Sequence, residues 1–89
     1  MTDQPVPELK FPCEFPIKVI GVKHENYQAL ITAILLRHVP DLALESISTR
    51  ESNAGKYLSV SARFTAQSRA QVDDLYRELT AHPDVKWVL

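Results

Sequence analysis

Between positions 56 and 66 the chain alternates without a break. Leu58, Val60, Ala62, Phe64 and Ala66 fall on one side of a period-two pattern, and Tyr57, Ser59, Ser61, Arg63 and Thr65 fall on the other. Successive side chains of a β-strand point to opposite faces, so this run predicts a strand with one buried face and one face in water. Ahead of it, Asn53-Ala54-Gly55 has turn chemistry. The weaker alternation of residues 42–52, where Ile47, Ser48 and Thr49 favour strand, is therefore predicted to be its hairpin partner.

The rest of the chain adds two strands and two helices. Phe15, Ile17 and Val19 alternate with Pro16, Lys18 and Ile20, which predicts a first strand over 15–22, with Gly21 near its end where backbone freedom is useful. The period then changes: Tyr27, Leu30, Ile31, Ile34, Leu35 and His38 trace one stripe of a helix over 25–38. Pro40 stops it, and Arg37 and His38 stand in the last turn, where positive charge meets the negative end of the dipole. Ser68 with Gln71 forms a capping-box pattern, and Val72, Leu75, Tyr76 and Leu79 supply the apolar stripe of a second helix ending before Pro83. Residues 85–89 form a short last strand. The order strand, helix, strand, strand, helix, strand fits an α+β, ferredoxin-like βαββαβ sandwich: a four-stranded antiparallel sheet with two helices on one face. Residues 1–13, with Pro5, Pro7 and Pro12, are expected to be a flexible tail, leaving 14–89 as one domain.

Eighty-nine residues leave room for no second domain, and 45% hydrophobic content argues against disorder. A core this small buries roughly 60–65% of its unfolded surface, so a homodimer is an expected source of added stability. The formal net charge of −1 lacks the broad positive field of a nucleic-acid binder. The apolar run 29–36 is too short to span a bilayer, and the N-terminus lacks a signal-peptide pattern, so a cytoplasmic protein is expected. One cysteine, Cys13, forms no internal disulfide, and His24, His38 and His82 have no metal-ligand spacing. No metal, cofactor or catalytic residue is implied. An acylphosphatase-type reaction needs a glycine-bearing phosphate cradle with an arginine after the first strand, where this chain has Gly21 and Lys23. An RNA-recognition surface needs aromatic residues on the open faces of the central strands, and the parity places only Tyr57 there.

Phe11-Pro-Cys-Glu-Phe-Pro-Ile-Lys-Val-Ile-Gly21, Arg37-His38-Val39-Pro40, Gly55-Lys-Tyr-Leu-Ser59-Val60-Ser61, Leu75-Tyr76-Arg-Glu-Leu79 and Val85-Lys-Trp-Val-Leu89 together resemble, over residues 11–89, the YbeD-like family of small bacterial proteins of unassigned function. The resemblance implies a ferredoxin-like fold similar to the ACT regulatory domain. The family's genes often lie beside lipoate-attachment genes, which implies a role near lipoyl metabolism. Residues 21–25 depart from the ACT pattern, because they lack the Pro-Gly pair often used there to bind an amino acid.

The parity leaves Lys18, Ser59, Ser61 and Arg63 on the open sheet face, joined by Lys86 and by the apolar Ile20, Tyr57 and Val88. Two cations beside two hydroxyls suit a small anionic ligand or an acidic protein surface. Gly21, Arg37 and His38 are secondary candidates. The expected function is a non-enzymatic regulatory or adaptor domain that binds a protein partner. The alternative is an ACT-like sensor of a small anionic metabolite, working near Gly21 and the start of the first helix.

Overall fold

The computed structural model describes residues 10–52 and 54–89. Strand β1 (Cys13–Val22) leads into helix α1 (Tyr27–His38), and a single 3-10 turn (Leu44–Ser46) precedes strand β2 (Ser48–Glu51). Strand β3 (Tyr57–Ala66), helix α2 (Arg69–Ala81) and strand β4 (Val85–Val88) complete the βαββαβ order. The sheet runs β2-β3-β1-β4 with every pair antiparallel, and both helices cover one face.

The long β1–β3 ladder runs from Cys13↔Ala66 to Val22↔Tyr57 and sets the register of everything else. Its inward residues Ile17, Val19, Val60, Ala62, Phe64 and Ala66 are buried against Tyr27, Ile31, Ile34 and Leu35 of α1 and Leu75 and Leu79 of α2. Leu30 and Val72, on the predicted stripes, pack half-buried at the core's margin. Gly55 takes the left-handed backbone of the β2–β3 turn, φ 70°, which a residue without Cβ adopts at little cost.

Several boundaries differ from the sequence-based expectation. β1 starts at Cys13 rather than 15, because β3 reaches Ala66 and offers it a partner. Within the expected tail, Phe11 and Cys13 pack against the core, while residues 1–9 lie outside the described residues. α1 starts at Tyr27 rather than 25: Asn26 provides no side-chain cap, and a turn from Tyr27 N–H to the His24 carbonyl at 3.0 Å precedes the helix. The stretch 42–52 is strand only from Ser48, since Leu44–Ser46 closes a 3-10 turn. At α2, Ser68 Oγ accepts from Gln71 N–H at 3.1 Å, as the capping box requires. The return bond goes one residue further back, from Gln67 N–H to Gln71 Oε1 at 2.6 Å. The same amide donates to the His38 carbonyl at 2.8 Å and so ties the start of α2 to the end of α1.

Candidate functional site

The sheet face opposite the helices is organised as rows across the strands. Ser48, Ser61 and Lys18 are consecutive cross-strand partners, and Leu89 extends the row through paired backbone bonds with Lys18 at 3.1 and 2.8 Å. The next row is Arg50, Ser59, Ile20 and Trp87. Arg63 stands opposite Pro16, and Tyr57 opposite Val22. The four expected residues Lys18, Ser59, Ser61 and Arg63 are thus neighbours on one surface. A shallow groove of about 470 Å³ is bordered by Lys18, Ser46, Ser48, Ser61, Arg63 and Leu89. A second, of about 350 Å³, continues past Lys18 to Arg50, Tyr57 and Ser59.

The electrostatics of this face are unbalanced. Arg63 faces Glu14 at 3.5 Å with both side chains well exposed, a geometry worth about 0–1 kcal/mol. Among the described residues, Lys18 and Arg50 have no carboxylate within ion-pair distance. Ser59 Oγ donates to the Arg50 carbonyl at 3.2 Å, clipping β2 to β3.

Two parts of the surface differ from the expectation. Val88 pairs with Val19 and packs against the core, and Trp87 takes the outward place opposite Ile20. The cause is a register shift at Ile20/Gly21, where Gly21 pairs with Val85 and Lys86 is absorbed in the irregularity. Ser48 and Arg50 join the face without having been singled out. Counting outward from the turn, with Glu51 opposite Leu58, gives Arg50 the outward parity of Ser59.

Gly21 occupies a different environment. A Cβ there would stand 2.3 Å from the Asp84 carbonyl and 2.5 Å from the Tyr27 hydroxyl. The space a ligand would need beside this loop is filled by the Tyr27 ring, which is fully buried and donates to the Val19 carbonyl at 3.3 Å. Burial, with a lesser contribution from the nearby Asp84 charge, pushes the Tyr27 phenol up to about 12. His24 Nε2 lies 3.0 Å from Asp84 Oδ2, so the loop after β1 is tied to the connection between α2 and β4. Lys23, in the position where the phosphate chemistry wants arginine, pairs with Glu51 at 2.9 Å.

Arg37 and His38 are engaged within the fold. Glu78 of α2 accepts from Arg37 through one oxygen and meets His38 Nε2 at 2.7 Å through the other. The three side chains join α2 to the C-terminal end of α1, where the His38 carbonyl also accepts from Gln71. Among the described residues no group of three or more His, Cys, Asp and Glu side chains is placed to hold a metal ion. No described helix is long and apolar enough to cross a membrane.

This arrangement of strands, loop and terminal Val-Lys-Trp-Val-Leu can be set beside known proteins. The sequence profile of the DUF493 family, described as a protein of unknown function, matches residues 6–89. The chain belongs to the DUF493 family. It is 40% identical over 89 residues to a UPF0250 protein of Chromobacterium violaceum, covering the full length of both. It is 46% identical over 81 residues to one of Leptothrix cholodnii, covering 91% of this chain and 89% of the relative. The YbeD-like resemblance is therefore membership. Among solved structures, this DUF493 chain is similar to a Helicobacter pylori protein, with TM-score 0.74 and 13% identity over 100% of this chain and 98% of that one. It is also similar to the ACT domain of GTP pyrophosphokinase from Chlorobium tepidum, with TM-score 0.65 and 14% identity over 85% and 84% of the two chains. These similarities establish an ACT-like, ferredoxin-like fold.

Proposed function

We propose that this DUF493 protein is a non-enzymatic regulatory or adaptor domain whose open sheet face binds an acidic segment of a protein partner. The observation that carries this reading is the cation set Lys18, Arg50 and Arg63, interleaved with Ser48, Ser59 and Ser61 on the uncovered side of the sheet. Charge-assisted bonds from such a set favour carboxylates, and several in register give an extended acidic segment a defined position. The shallowness of the grooves suits a segment lying across the surface better than an enclosed metabolite. For a small-ligand sensor the ACT-like fold supplies only analogy, and the filled space at Gly21 counts against a ligand seated there. The family's gene neighbourhood makes lipoate-attachment enzymes the first partners to test.

A photo-crosslinking residue at Ser61, compared with one at the exposed Ala33 of α1, tests the reading in the cells that make the protein. The expected result is a discrete protein adduct from position 61 and none from 33. Adducts from 33 alone would move the binding surface to the helices. A thermal shift with small carboxylates or phosphates and no adduct from 61 would favour the sensor.

A further inference from the structure

The rows of the open face change character from one edge of the sheet to the other. One runs from Arg50 through Ser59 and Ile20 to Trp87, and its neighbour runs from Ser48 through Ser61 and Lys18 to Leu89. Each begins polar at β2; one ends apolar at Trp87 of β4 and the other at Leu89, just past it. Trp87 is 53% exposed and Leu89 65%, a large apolar allowance for the terminal strand of so small a domain. Tyr57 adds to this end, its ring 5.7 Å from the Trp87 ring at an interplanar angle of 68°. The aromatic pair and Ile20 thus make an apolar notch beside Lys18.

We infer that the acidic segment bound by this face also carries one apolar side chain, seated on Ile20, Trp87 and Tyr57 two to four residues from its carboxylates. This rests on the reading above and makes it more specific. The spacing follows from sheet geometry. Strands lie about 4.8 Å apart, so Arg50 on β2 and Trp87 on β4 are separated by three gaps, roughly 14 Å. An extended segment crossing the strands places alternate side chains about 6.6–6.8 Å apart on the side facing the sheet. Four residues therefore span from Arg50 to Trp87, while Lys18 stands one row over, about 6.6–6.8 Å along β1 from Ile20, a distance that two residues cover. Complementarity is the reason to favour an acidic peptide: the cations of these two rows, Lys18 and Arg50, have no carboxylate partner among the described residues. A base-stacking platform for single-stranded nucleic acid is disfavoured, because rings inclined at 68° present no common plane.

The test is selection from a display library of random nine-residue peptides against the full chain, followed by calorimetry with one enriched peptide. Enriched sequences are expected to pair an acidic residue with an aliphatic or aromatic one two to four positions away. Trp87→Ala and Lys18→Glu should each weaken binding by about tenfold or more, and Trp87→Phe should retain most of it. Trp87 is the sole tryptophan, so its emission should shift to the blue as the notch is covered. Acidic peptides that lack an apolar residue and bind Trp87→Ala unchanged would overturn this inference and leave the acidic-segment reading standing. Enrichment of peptides without acidic residues, or of none, would overturn both. A response of Trp87 to oligothymidylate but to no peptide would reassign the surface to nucleic acid.

Discussion

At Gly21 the backbone has no need of glycine's conformational freedom, since Gly55 is the only glycine with positive φ. What the position requires is the absence of a side chain, because the Tyr27 ring and the Asp84 carbonyl close over it. Gly21→Ala should therefore destabilise the fold by about 1–3 kcal/mol, the range for forcing an atom into packed space. Chemical denaturation measures this, and an unchanged midpoint would contradict the close packing. Tyr27 makes a second prediction at the same spot. Its phenol titrates near 10 when unfolded and at about 12 when folded, so the native state holds the proton more tightly. The resulting stability is fully present below pH 10 and is lost as pH rises toward 12. Tyr27→Phe should flatten that decline in melts between pH 9 and 12, and an unaltered slope would remove Tyr27 as its source.

At the scale of elements, β3 holds the sheet together, pairing with β1 along ten residues and with β2 along four. Phe64 anchors its far end, buried and 5.7 Å from the Phe15 ring. Phe64→Ala should cost about 3–5 kcal/mol, enough to unfold much of so small a domain at moderate temperature. A melting temperature that barely moves would contradict its place in the core. This strand was legible in the sequence because a single local rule, alternation, governs all ten of its residues. β4 was not. Val-Lys-Trp-Val-Leu is too short for a period to emerge, and the irregularity opposite Ile20/Gly21 overturned the expectation that Lys86 and Val88 share the open face. Gly21 was misread for a related reason, since its constraint comes from residues 6 and 63 positions further along the chain. Arg37 and His38 read as secondary binding candidates at a helix end because their partner, Glu78, lies on the other helix. Of the candidate surface, Lys18, Ser59, Ser61 and Arg63 followed from alternation. Arg50 and Trp87 required the register.

Over the whole molecule, a formal charge of −1 conceals an uneven distribution. On the helical side basic residues meet acids: Arg37 with Glu78, Arg69 with Asp73, Arg77 with Asp74. On the sheet side Lys18 and Arg50 face water without such partners among the described residues, and Arg63 has only the long contact to Glu14. Charge balance at the level of composition therefore says little about the field at one face. Reversing Lys18 and Arg63 together, as Lys18→Glu with Arg63→Glu, should separate binding from folding. Both side chains are exposed and neither belongs to the core. The circular dichroism spectrum should stay the same, with the melting temperature within about 4 °C of the parent. The adduct formed from position 61 should disappear in this variant. In the parent it should weaken between about 0.1 and 1 M salt, as the Debye length falls from roughly 10 to 3 Å. An adduct that survives both the reversal and the salt would mean that the partner is held by the apolar β4 side alone, and the cations would then have no part in recognition.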